Sequence, residues 1–136
     1  MDDLEAIRQL KARYFRLMDT KDWPAWAELF TEDAVLQTTP DPEVRFVGRE
    51  EIVAKVSRLL ADSVTVHHRH MPEIELTGPD SATGIWAMWD YVDMPALVLR
   101  GYGHYHDVYA KQDGRWRIRS SQLTRLRLDI EPRARD

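Results

Sequence analysis

The chain reads as an α+β domain in which N-terminal helices pack on a strongly curved antiparallel sheet and enclose a pocket. Three observations predict this. Apolar residues recur at helical spacing as far as Leu60. From Ser63 onward that period disappears, and runs rich in β-branched and aromatic residues alternate with turn signals. The helices all precede the long strands instead of alternating with them, which favours segregated layers over a parallel doubly wound sheet.

Leu4, Ile7, Leu10, Tyr14, Leu17 and Met18 form the apolar stripe of a first helix, with Glu5, Arg8, Lys11 and Arg16 between them. Asp2 and Glu5 have the spacing of a capping box. A second helix begins at Asp22, a good N-cap, and tolerates Pro24 in its first turn. Trp23, Trp26, Leu29 and Phe30 give it a heavy apolar face. Thr31-Glu32-Asp33 reads as a turn, residues 34–38 as a short strand, Pro40-Asp41-Pro42 as a loop and Phe46-Val47 as another short strand. Ile52, Val53, Val56, Leu59 and Leu60 share one face of a third helix. Residues 63–70, 73–77, 81–92, 97–110 and 115–128 read as strands, and Asp113-Gly114 between the last two signals a hairpin. With no repeat or linker, residues 1–130 are expected to form one domain and 131–136 a frayed tail.

Composition narrows the function classes. A chain of 136 residues with 43 % hydrophobic and 31 % charged residues can bury a core without staples. A net charge of −4 gives no global field for nucleic acid. Arg115, Arg117, Arg119, Arg125, Arg127, Arg133 and Arg135 crowd the end, and at alternating strand positions they read as one solvated face. There is no cysteine, hence no disulfide, thiol nucleophile or thiolate metal site. The acidic start enters a helix directly, and no apolar run approaches membrane-spanning length, so a cytoplasmic protein without a membrane partner is expected.

Chemistry is carried by Tyr14 and Asp19, on and just past the first helix, and by His67 in a strand. A carboxylate that orients an imidazole is the minimal apparatus for moving a proton near neutral pH. Alternation leaves the strand face open: Ser63, Thr65 and His67 share one side, and Val64, Val66 and His68 share the other. A purely apolar core would favour the second. His68-x-His70 and His104-x-His106 each place two imidazoles on one strand face, which raises a metal site as an alternative, although no carboxylate follows at cupin-type spacing. No metal role is assigned; His104 and His106 read better as substrate-binding or second proton-transfer groups. Of the five tryptophans, Trp23 and Trp86 are candidates for an apolar cavity wall.

Several passages in order resemble the SnoaL-like branch of the nuclear transport factor 2-like superfamily. They are the helix with Tyr14 and Asp19, Asp22-Trp23 through Leu29-Phe30-Thr31-Glu32-Asp33-Ala34-Val35, and Phe46-Val47-Gly48-Arg49-Glu50-Glu51-Ile52. His67-His68, Ile74-Glu75-Leu76, Tyr105-His106-Asp107 and Asp113-Gly114-Arg115-Trp116-Arg117-Ile118 continue the match. The resemblance implies a cone-shaped fold, often dimeric or higher through the outer sheet face. Its scytalone dehydratase, bile acid dehydratase and hexachlorocyclohexane dehydrochlorinase members imply a cofactor-free elimination with His67 as base, Asp19 as its partner and Tyr14 near the substrate carbonyl. Met71 stands where many relatives carry Asn, and is taken as a substrate-binding position. Leu36 and Gln37 stand where ketosteroid isomerases carry their carboxylate base.

Two functions compete. One is a cofactor-independent lyase or isomerase of the dehydratase type, acting on an apolar carbonyl-containing or polycyclic small molecule. The other is a non-catalytic module that holds a small ligand or assembles through its sheet. A catalytic pair should share a hydrogen bond and face an open cavity, whereas a filled cone would favour the module. On the strand after Gly78-Pro79-Asp80, Ile85, Ala87, Trp89 and Tyr91 alternate with Gly84, Trp86, Met88 and Asp90, so a homodimer or larger homo-oligomer is expected to cover the outer face.

Overall fold

The computed structural model describes all residues except Pro40, Pro42, Arg135 and Asp136. The expected loop at Pro40-Asp41-Pro42 and the last two residues of the expected tail therefore lie wholly or partly outside the described residues.

Helix α1 spans Asp3–Asp19, and Asp2 caps it by accepting from the Glu5 amide at 2.8 Å. Lys21 then takes a positive φ of 59°, which turns the chain into α2, Trp23–Ala27, capped by Asp22. The second helix is shorter than its apolar residues suggest. Phe30 does not extend it but opens β1, Phe30–Gln37. The expected turn at Thr31-Glu32-Asp33 lies inside this strand, where pairing with the last strand slips between Phe30 and Val35. Turn chemistry is absorbed there as an irregularity, with the Thr31 hydroxyl donating to Asp33 at 2.9 Å. Strand β2, Arg45–Val47, leads through Gly48 at φ 94° into α3, Arg49–Leu59.

Four long strands follow: β3 Val64–Gly78, β4 Ser81–Asp93, β5 Leu97–Gln112 and β6 Arg115–Pro132. The two strands expected at 63–70 and 73–77 are one, bent by a register shift between Arg69 and Pro72, where proline withholds a ladder donor. The sheet order is β2-β1-β6-β5-β4-β3, antiparallel throughout except for the β1–β6 pair, which is parallel. Ala82, Trp86, Met88, Tyr105, Tyr109, Ile118 and Leu123 face inward from the sheet. They meet Ile7, Leu10, Tyr14 and Phe15 of α1, Trp26 of α2 and Ile52 of α3. No helix among the described residues is long and apolar enough to cross a membrane.

Strand β6 changes phase twice. Tyr109 pairs with Ile118 and Val108 with Ser120, so Arg119 is an extra residue; Gly103 pairs with Arg125 and Tyr102 with Arg127, so Leu126 is another. An inserted residue moves every following side chain to the opposite face. Inward positions are thus Trp116 and Ile118 before the first bulge, and Ser121, Leu123 and Arg125 after it. The expectation of a single solvated arginine face fails at Arg125 for this reason.

Trp26 joins the helices to the start of β1 and is fully buried, packing edge-on against Phe30 with ring centroids 4.7 Å apart. Trp26→Ala should lower the stability of the fold by about 3–5 kcal/mol. Urea denaturation followed by circular dichroism measures this directly.

Candidate functional site

Asp19 is the last residue of α1, and its carboxylate reaches across to β3. It accepts from Thr65 Oγ1 at 2.8 Å and from the His67 backbone N–H at 2.9 Å. The His67 ring completes the set, with Nδ1 at 2.7 Å from Asp19 Oδ1. An ionised carboxylate only accepts, so in a neutral imidazole this contact favours the tautomer with its proton on Nδ1 and its lone pair on Nε2. The face carrying Thr65 and His67 is therefore the inward one. The Phe15 ring lies nearly parallel to the imidazole, 16° between planes at 5.9 Å, and restricts its rotation.

His67 lines a cavity of about 280 Å³ in the mouth of the cone. Tyr14, Tyr105, Asp90 and Arg125 supply the other strongly polar groups, and Met18, Leu36, Phe46, Val92 and Leu123 are among its apolar walls. Asp90 Oδ2 stands 4.0 Å from His67 Nε2. Arg125 clamps Asp90 through two parallel hydrogen bonds of 3.0 Å, a bidentate pair that fixes the orientation of the carboxylate. Burial does most to push the pKa of Tyr14 above the ordinary phenol range, followed by the carboxylates of Asp107, Asp19 and Asp90, while the Tyr105 side chain works the other way. Burial likewise pushes Tyr105 up. Both phenols therefore stay protonated across the working pH range and can donate hydrogen bonds without losing the proton.

Not every candidate converges here. Tyr14 and His67 line the cavity, and Asp19 joins them through its hydrogen bond to the His67 ring. Trp86 points inward but sits below it, 2 % exposed, with its indole N–H donating to the Tyr109 hydroxyl at 2.8 Å. Trp23 stacks edge-on against Trp26, 5.4 Å between centroids, and does not line the cavity. Met71 is 91 % exposed in the β3 bulge, because the register shift there turns it away from the cone. His104 and His106 pair with Ala87 and Ile85 and share the outer face of the sheet. His106 Nε2 lies 3.1 Å from Thr124 Oγ1, and no group of three or more His, Asp or Glu side chains suited to a metal ion occurs among the described residues. These five substrate-binding assignments do not match the geometry of the cavity.

Asp90 and Arg125 went unrecognised as site residues. Asp90 has a visible signal: it occupies the inward phase of β4 together with Ala82, Trp86, Met88 and Val92, where a carboxylate stands out. Arg125 has none, since only the bulge at Arg119 brings it inside. A larger surface cleft of about 700 Å³ is lined by Arg13, Arg16, Arg115 and Arg117, and none of the groups around His67 reaches it.

The chain matches the SnoaL-like domain over residues 1–122, and belongs to that family. It is 26 % identical over 133 residues to a Gibberella zeae protein named as a probable cyclase, covering 88 % of this chain and 89 % of that one. A solved Novosphingobium aromaticivorans protein, provisionally named a scytalone dehydratase, superposes with a TM-score of 0.86 at 20 % identity, covering 98 % of this chain and 89 % of that one. A type 2 hexachlorocyclohexane dehydrochlorinase superposes with a TM-score of 0.81 at 17 % identity over 96 % and 88 % of the two chains. At these identities the two structures establish the shared fold.

The Asp90–Arg125 clamp crosses β5 at Gly101. A Cβ there would lie 1.7 Å from Arg125 Nη1 and 2.2 Å from Asp90 Oδ1. Gly101→Ala should displace the guanidinium and leave a buried carboxylate unpaired, lowering stability by about 3 kcal/mol. Chemical denaturation of this variant against Tyr102→Ala, an outward neighbour, checks the effect.

Proposed function

We propose that this protein is a cofactor-independent lyase or isomerase of the dehydratase type, acting on a mostly apolar, carbonyl-containing small molecule. The observation that supports the reading most is the Asp19–His67 hydrogen bond of 2.7 Å with His67 lining an open cavity. In this reading His67 Nε2 takes a proton from the carbon next to the carbonyl. The electron pair of that C–H bond passes toward the carbonyl oxygen, where Tyr14 donates to the developing oxyanion. In an elimination the enolate then re-forms the carbonyl and expels a hydroxyl or halide from the β-carbon; for a hydroxyl, the imidazolium returns the proton and water leaves. Asp19 holds the tautomer, and Asp19 and Asp90 flank the imidazolium with negative charge.

The cavity is at the lower end of the size range of small-molecule sites. A search for the substrate therefore starts with mono- and bicyclic hydroxy- or halo-ketones rather than larger polycyclic ones. The alternative of a non-catalytic ligand-binding module is less favoured because apolar binding does not call for a carboxylate-held imidazole beside two phenols. His67→Ala should reduce turnover about 10²–10⁴-fold while leaving the fold intact. Asp19→Asn, which keeps the shape but loses the charge, should give a large and somewhat smaller loss. Full activity in His67→Ala on a substrate turned over by the parent would contradict the mechanism.

Self-association belongs to the same reading. Ile85, Tyr102 and Val108 are exposed on the outer face of the sheet, where Trp89 also points, and a second copy of the chain would cover them. Light scattering at micromolar concentration should show a dimer or larger species, and a purely monomeric sample would count against it.

A further inference from the structure

Helix α1 carries a lysine where its packing phase calls for an apolar residue. Lys11 follows Ile7 by four positions and precedes Tyr14 by three, and its side chain is wholly buried. Nζ lies 2.8 Å from Asp107 Oδ2, and both side chains are sealed from solvent. Asp107 also accepts from the Tyr109 hydroxyl at 2.7 Å and from Ser121 Oγ at 2.6 Å. The ammonium makes no well-aligned hydrogen bond; it sits against ring faces, 4.0 Å from the Tyr105 centroid and 4.3 Å from that of Tyr14. An apolar pair of equal volume would fill this space without desolvating two charges. What the charges add is an electric field, and it falls on the two phenols that line the cavity.

Tyr14 is surrounded by carboxylates that oppose negative charge near its hydroxyl. Asp19 of α1 is tied to His67, Asp90 of β4 to Arg125, and Asp107 of β5 to Lys11. We propose that Lys11 is a positioning residue for the tyrosine pair: its ammonium, held by Asp107, fixes the rings of Tyr14 and Tyr105 from outside the cavity and cancels a carboxylate charge that would otherwise oppose an oxyanion at the Tyr14 hydroxyl. The inference rests on the reading of Tyr14 as oxyanion donor. The charged and titratable groups facing the pair are Lys11 and Asp19 from α1, His67 and Arg69 from β3, and Asp90 from β4. Asp107 and Tyr109 from β5 and Arg125 from β6 complete the set. Burial works against the charged form of Lys11, and Asp107 works for it.

The test uses 4-nitrophenol as an oxyanion probe, because its visible absorbance reports the ionised fraction in the bound state. Lys11→Met should raise the pH at which bound probe ionises by about 1–3 units, since Asp107 is left uncompensated. The isosteric Asp107→Asn should move it in the opposite direction, and Lys11→Met with Asp107→Asn together should return it near the parent value. Opposite signs are what a purely structural role does not produce. If Lys11→Met fails to fold, Asp107→Asn and the double variant carry the same test. Shifts of one sign in both single variants, or parent ionisation in every folded variant, would overturn the inference. Tyr14→Phe separates the two readings. If it leaves the probe's ionisation unchanged, or if the parent does not bind the probe at millimolar concentration, the oxyanion reading fails and this inference falls with it. An ionisation that depends on Tyr14 but ignores Lys11 and Asp107 defeats this inference alone.

Discussion

The concave face is organised by the carboxylate of Asp19. β3 is the last strand of the sheet, so its outer edge has backbone donors with no neighbouring strand. Asp19 takes one of them, the His67 amide, and in the same stroke accepts from Thr65 and from the His67 ring. One residue at the end of α1 thereby satisfies an edge donor, sets the position of the helix against the strand and selects a tautomer. Placement of the helix and chemistry of the imidazole are thus coupled, and a change at Asp19 disturbs both.

The interior below that contact buries two carboxylates. Asp90 is 3 % and Asp107 2 % exposed. Each is matched by a cation from another element, Arg125 from β6 and Lys11 from α1. The pairing keeps each carboxylate from being an uncompensated buried charge. It also draws a boundary inside the cone. The Lys11–Asp107 pair lies in the sealed floor, the Asp90–Arg125 pair borders the cavity, and the two tyrosines form the partition between them.

Much of this was legible in the residues. The break from helical to alternating periodicity after Leu60 marks where the sheet begins, and Asp19 and His67, singled out in the residues, share a hydrogen bond between α1 and β3. The rest was hidden by irregularities that periodicity cannot register. A single extra residue at Arg119 brings Arg125 inside, and the shift before Pro72 turns Met71 out. The histidines at 104 and 106 share a face as alternation requires, but it is the outer face, set by the inward positions of Tyr105 and Asp107. Lys11 carries a charge that sets it apart from the apolar positions of α1, although it lies seven residues after Leu4 and four after Ile7, within the buried stripe. A charge in an apolar phase, at Lys11, Asp90 or Asp107, was the available signal for each buried pair.

The account depends on the state of His67 before any substrate arrives: Nδ1 bears the proton toward Asp19, and Nε2 presents a lone pair to the cavity. Nitrogen-15 NMR of the histidine side chains at slightly alkaline pH reads this directly, with Asp19→Asn as the comparison. The account predicts the Nδ1–H tautomer for His67 in the parent protein and its loss or mixing in Asp19→Asn. A parent protein with His67 in the Nε2–H form, unchanged by Asp19→Asn, would contradict it.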